Sequence, residues 1–133
     1  MKPKRIEHIG IAVSNLEEAI KYWEDVMGLE CYNIEEVVDQ KVKTAFFKVG
    51  EVKIELLEAT SAESPIAGFL DKKGPGVHHI AFAVDNVDDA LTHVEKAGVR
   101  LIDKTSRKGA EGLNIGFLHP KSTLGVLTEL CSE

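Results

Sequence analysis

The sequence predicts an α+β protein made of two similar modules, each a strand, a helix and three further strands. Two observations carry that prediction. The stretch His8-Ile-Gly-Ile-Ala-Val-Ser-Asn-Leu-Glu-Glu-Ala-Ile20 returns as His79-Ile-Ala-Phe-Ala-Val-Asp-Asn-Val-Asp-Asp-Ala-Leu91, without a gap and at an offset of 71 residues. Within each copy, alternating apolar residues give way to apolar residues three and four apart, the change of period that marks a strand running into a helix. Solenoids repeat every ~20–50 residues. A single repeat of about half the chain instead implies two modules packed on each other.

The first strand covers residues 5–13. Ile9, Ile11 and Val13 form a bulky face; Ile6, His8, Gly10 and Ala12 form the other, which leaves room for a cavity. Ser14-Asn-Leu-Glu17 reads as a capping box. Leu16, Ala19, Ile20, Trp23 and Met27 then follow at helical spacing, and Gly28 is placed to close the helix. Strands are expected at 30–38, 42–49 and 52–58, the last two joined by a Gly50-Glu51 hairpin. Glu55 is an acid on an apolar return strand, a costly placement unless it is paired or bound to a metal.

Residues 59–76 connect the modules. Ser64-Pro65 gives an N-cap followed by proline at the first helical position, and so predicts a short helix over 66–70. The second strand copy places His79, Ala81 and Ala83 on one face and His78, Ile80, Phe82 and Val84 on the other, which makes His79 the inward histidine. Asp85 is expected to cap the next helix, with Val87, Ala90, Leu91 and Val94 inward, a solvated His93 outward and closure near Gly98. Strands are expected at 99–103, 113–119 and 125–131, and residues 104–112 as a mobile loop. One domain spans 1–133, in modules of about 1–72 and 73–133.

Composition narrows the function. The formal net charge is −6, which argues against general binding to nucleic acid or acidic membranes. Cys31 and Cys131 are the only cysteines and show no metal or disulfide spacing, so two reduced thiols are expected. No apolar run approaches the ~18 residues of a membrane span, and the basic N-terminus leads into no signal segment. The expected location is the cytoplasm.

The repeat also selects a site. Ile54-Glu55-Leu56 and Thr128-Glu129-Leu130 each put Glu before Leu in the last strand of a module, now at an offset of 74. Each module thus offers one His from its first strand and one Glu from its last: His8 and Glu55, His79 and Glu129. Two imidazoles and two carboxylates suit a divalent transition metal, with positions of a six-coordinate ion left for substrate. The recurrence in register is what separates this set from isolated polar residues on strands. Spacing leaves open a duplication whose site has decayed.

These residues resemble the vicinal oxygen chelate superfamily, which includes glyoxalase I, extradiol dioxygenases and bleomycin-resistance proteins. Within it, the chain looks most like the methylmalonyl-CoA epimerase family. The resemblance rests on Ile6-Glu-His-Ile-Gly-Ile-Ala-Val13, Glu55-Leu-Leu57, Ser64-Pro-Ile-Ala-Gly-Phe-Leu70, Gly76-Val-His-His-Ile80, Phe117-Leu-His-Pro-Lys121 and Gly125-Val-Leu-Thr-Glu-Leu130. The Ser64–Leu70 and Phe117–Lys121 stretches are its most specific parts.

The resemblance implies paired βαβββ modules forming a barrel-like cleft, a metal on His8, Glu55, His79 and Glu129, a homodimer and a place in propionate metabolism. The implied reaction interconverts (2R)- and (2S)-methylmalonyl-CoA. The α-hydrogen lies between a thioester and a carboxylate, and a metal that chelates an oxygen of each would stabilise the enolate left by its removal. Co(II), Mn(II), Ni(II) and Zn(II) all fit the ligand set. Some relatives carry a carboxylate where this chain has Thr44, which cannot act as base, so Glu129 is assigned that part. Gln40 and Lys121 are the candidate substrate contacts; Lys41, Lys43, Lys72, Lys73, Arg107 and Lys108 are further cations for the CoA phosphates. The alternatives are a glyoxalase I-type lactoylglutathione lyase, an Fe(II) extradiol dioxygenase and a metal-free drug-binding protein of the same fold.

Overall fold

The computed structural model describes all 133 residues. They fall into two compact units, Ile9–His78 and a second formed by Met1–His8 with His79–Glu133. The first eight residues therefore group with the second half of the chain. Strand β1, Arg5–Ala12, crosses from one unit into the other.

In the Ile9–His78 unit, helix α1 (Leu16–Asp25) is followed by strands β2 (Asn33–Val37), β3 (Val42–Val49) and β4 (Val52–Ala59) and helix α2 (Pro65–Lys73). The three strands form an antiparallel ladder. Gly50 turns the β3–β4 hairpin at φ 63°, a conformation that costs glycine nothing. Beyond β4 the ladder meets the end of β1, where Val13 N–H donates to the Leu57 carbonyl at 2.9 Å.

The bulky face of β1 packs beside helix α1. The apolar cluster that includes Leu16, Ala45, Phe47 and Leu56 takes Ile11, Val13, Ile20 and Trp23 against it. A second cluster, Ala12, Val42, Leu57 and Ile66, sits under α2. Ser64 caps α2 by accepting from Ile66 N–H, as its Ser-Pro start predicted, and the helix runs to nine residues rather than one or two turns.

Strand β5 (Gly76–Ala83) enters the other unit at His79 and leads through helix α3 (Val87–Lys96) to β6 (Arg107–Lys108), β7 (Asn114–Leu118) and β8 (Thr128–Ser132). β8 runs parallel to β5 and antiparallel to β7. Val84, Val87, Ala90, Leu91, Val94, Leu118 and Leu130 are buried together. Gly116 on β7 lets Leu91 approach, since a Cβ there would lie 2.9 Å from a Leu91 methyl.

Four expectations are corrected. Both long helices are capped one residue later than expected: Asn15, not Ser14, accepts from Glu18 N–H, and Asn86, not Asp85, accepts from Asp89 N–H. In each case the asparagine oxygen reaches the third helical amide, the reach an N-cap needs. Helix α1 also stops at Asp25, before Met27 and Gly28.

Residues 99–103 form no strand, only an isolated bridge from Leu101 to Leu118. Both Ile102 N–H and Asp103 N–H donate to the same Phe117 carbonyl, and the Asp103 carboxylate takes Phe117 N–H at 2.9 Å. The ladder is thereby replaced by a side-chain contact. Finally, 104–112 is held rather than loose. It contains β6, and the Asp88 carboxylate accepts from both the backbone and the hydroxyl of Ser106, at 2.7 and 2.8 Å.

Candidate metal centre

Start with the strand that carries His8. Lys4 N–H donates to the Ala83 carbonyl at 2.8 Å, which sets the start of β1 antiparallel to β5. Four steps inward along each strand from that bond, His8 stands opposite His79. The two rings meet edge to face with centroids 5.1 Å apart, and their Nε2 atoms are 3.0 Å apart.

Glu129 comes from β8. The parallel β5–β8 register places it beside Ala81, two residues past His79 and on the same face of the sheet. Ala81 is fully buried and small enough to leave the carboxylate a path to both rings. Glu129 Oε1 lies 3.3 Å from His79 Nε2 and Oε2 lies 3.6 Å from His8 Nε2. All three side chains are about 95% buried.

Burial alone would raise the Glu129 carboxyl, but the imidazoles of His8 and His79 outweigh it by charge and hydrogen bonding. Its pKa falls from 4.5 to about 2. The carboxylate is therefore ionised at every physiological pH.

The donor set can be tested against a metal without any ion present. Nitrogen and oxygen ligands bind Zn(II) at about 2.0–2.2 Å, so two ligands at right angles on one such ion stand about 3.0 Å apart. The separations of 3.0, 3.3 and 3.6 Å match ligands that share one cation, and one atom from each of the three residues lies within 4.8 Å of the others. His8 donates from Nδ1 to the Glu7 carboxylate at 2.6 Å, because an ionised carboxylate can only accept. With Nδ1 engaged there, Nε2 is the His8 nitrogen that faces His79 and Glu129. His79 is steadied by the edge of Phe117, at 5.4 Å between centroids.

Glu55 is buried on β4, opposite Phe46 in the β3–β4 ladder. The Val13–Leu57 hydrogen bond sets β4 beside the end of β1 as Val84–Cys131 sets β8 beside the end of β5. By that correspondence Glu55 lies alongside Gly10, as Glu129 lies alongside Ala81. The two offsets in the sequence repeat thus reappear as matched backbone pairings.

His78 turns to the other face and meets Phe69 edge-on at 5.0 Å. Thr44 is fully buried on β3, between Glu35 and Leu57 in the ladder. Gln40 ends a 3-10 turn over Val38–Gln40, and its buried Nε2 has no hydrogen-bond partner. Lys121 is exposed, in the turn after β7, where its N–H donates to His119 Nδ1. Of the other cations, Lys41 pairs with Glu63 at 2.8 Å, and Arg107 pairs with Asp103 at 3.0 Å and covers the Phe117 ring. Lys73 lies over Phe69. Both cysteines are free thiols, Cys131 buried and Cys31 partly so.

The sequence reasoning missed Glu7. Alternation puts it on the face opposite His8, and only its position next to a candidate ligand could have drawn notice.

Residues 7–117 match the family described as the glyoxalase/bleomycin resistance protein/dioxygenase superfamily. An uncharacterised protein of Bacillus subtilis is 46% identical, over 96% of this chain and 91% of the relative. The human mitochondrial methylmalonyl-CoA epimerase is 38% identical, over 95% of this chain and 72% of the relative. Cereibacter sphaeroides ethylmalonyl-CoA/methylmalonyl-CoA epimerase is also 38% identical, over 95% and 96%. Among solved structures, Streptomyces coelicolor methylmalonyl-CoA epimerase in complex with 2-nitronate-propionyl-CoA superposes with a TM-score of 0.96 at 37% identity, covering 99% of this chain and 96% of that one. A methylmalonyl-CoA epimerase in complex with methylmalonyl-CoA and ammonium gives the same values.

Proposed function

The chain belongs to the glyoxalase/bleomycin resistance protein/dioxygenase superfamily and has its vicinal oxygen chelate fold, and we propose that it is a metal-dependent methylmalonyl-CoA epimerase. The observation that carries this is the buried His8–His79–Glu129 cluster, built from equivalent strands of an internal repeat. Identities of 36–40% to epimerases of mammals, Dictyostelium and Cereibacter over nearly the whole chain support the substrate.

His8, His79 and Glu129 would hold one divalent ion, with Glu55 as the fourth ligand. Glu55 is supported by its burial, by its equivalence to Glu129 in the repeat and by the matched backbone pairing of the two strands. Co(II), Mn(II), Ni(II) or Zn(II) would supply Lewis acidity that stabilises the enolate of the substrate.

The rest of the work falls to the chain. Glu129 is the base assigned to the C2 proton. The histidines keep it ionised, the form a base must have, at some expense in basicity. A planar enolate accepts a proton on either face; inversion of C2 requires that Glu129 carry the proton across or that a second donor deliver one to the opposite face. Gln40 carries an unpaired buried amide donor and is assigned to a substrate oxygen, since a buried donor is ordinarily satisfied by some partner. Lys121 is assigned to a CoA phosphate. The same resemblance supports a homodimer.

Ion-depleted protein reloaded in turn with Co(II), Mn(II), Ni(II) and Zn(II) tests the assignment. Conversion of (2R)- to (2S)-methylmalonyl-CoA that is lost on depletion and restored by at least one ion is the expected result. Failure with all four would overturn it.

A further inference from the structure

Glu7 is a buried acid that the proposed reaction does not use. Its side chain is about 5% exposed, and its Oε1 accepts from His8 Nδ1 at 2.6 Å. Arg5 Nη2 lies 3.9 Å from its Oε2, so the shorter of these two contacts goes to the imidazole.

The repeat does not restate this carboxylate. Shifted by the repeat offset, Glu7 falls on His78, which is not a carboxylate and which packs on Phe69. Behind His8 stands a negative charge; beside His79 stands the ring of Phe117.

A carboxylate hydrogen-bonded to the outer nitrogen of a ligating histidine does two things. It fixes the tautomer and orientation of the ring, and it raises the basicity of the inner nitrogen. We infer that Glu7 is a positioning residue for the metal site: it holds the His8 ring through Nδ1 so that Nε2 is the nitrogen presented to the metal. The inference rests on the metal reading given above. It assigns Glu7 no contact with substrate.

The test uses Co(II) alone as probe, titrated into the full-length protein and followed by calorimetry and visible absorption. Glu7→Gln keeps the shape of the side chain and removes its charge; Glu7→Ala removes both. Loss of such a partner ordinarily costs about 10–100-fold in metal affinity. Each variant is expected to bind Co(II) at least about tenfold more weakly than the wild type, with an altered absorption band. Thermal melts of the ion-free proteins confirm folding, and Glu7→Gln decides the matter if Glu7→Ala does not fold. A purely structural role predicts a lower melting temperature with wild-type Co(II) affinity, and that result overturns the inference. Wild-type protein that binds none of Co(II), Mn(II), Ni(II) and Zn(II) would overturn the metal reading itself, and this inference with it.

Discussion

At the scale of single residues, the two neighbouring histidines of β5 separate the account from its rivals. His79 faces Glu129 and His8, whereas His78 faces Phe69. His79→Ala is expected to lose stoichiometric metal and activity together, measured by elemental analysis and turnover, while His78→Ala keeps most of both. The reverse pattern would mean that the wrong histidine was chosen.

Glu129 gives a pH prediction for the ion-free protein. Its folded pKa of about 2 lies below the ordinary carboxylate value of 4.5, so the ionised form is the one that folding favours. The stability it contributes is present above about pH 4.5 and is lost as pH falls toward 2. Chemical denaturation of wild type and Glu129→Gln across that range should show the wild type losing stability more steeply. Parallel slopes would contradict the assignment.

His8, His79 and Glu129 were legible in the sequence because the repeat printed them twice. Glu7 was not, because alternation along a strand says which face a side chain leaves from and nothing about a side chain that reaches back to its neighbour.

At the scale of elements, the helix starts illustrate how local chemistry selects among adjacent candidates. Ser14-Asn15 and Asp85-Asn86 each offer two capping residues in a row, and the structure uses the asparagine both times. Asn86→Ala should destabilise the protein by about 1 kcal/mol, within the usual range for loss of an N-cap, whereas Asp85→Ala should not, as urea titration would show. The apolar periods located α1, α3, β3 and β4 well, since burial alone sets them. They failed at 99–103 and 104–112, where the backbone is organised by Asp103, Asp88 and Ser106 side chains. Such contacts leave no periodic trace.

At the scale of the whole molecule, the duplication explains more than the list of ligands does. Two similar modules supply equivalent strands, and the hydrogen bonds Val13–Leu57 and Val84–Cys131 are the backbone record of that equivalence. What duplication does not determine is where the repeat has since diverged. Glu7 and His78 occupy one repeat position, and no rule of spacing says that one supports a ligand and the other packs on a ring. The site depends on the divergence as well as on the symmetry, because Glu7 reaches His8 while its counterpart His78 packs on Phe69.

The measurement that tests the central claim most directly is exchange of the C2 hydrogen of methylmalonyl-CoA for solvent deuterium, followed by NMR in D2O with ion-depleted and ion-reloaded protein. The account predicts exchange that requires the ion, accompanies interconversion of the 2R and 2S forms and disappears in His79→Ala. Absence of exchange with each of Co(II), Mn(II), Ni(II) and Zn(II), or exchange that persists unchanged in the ion-depleted protein, would contradict it.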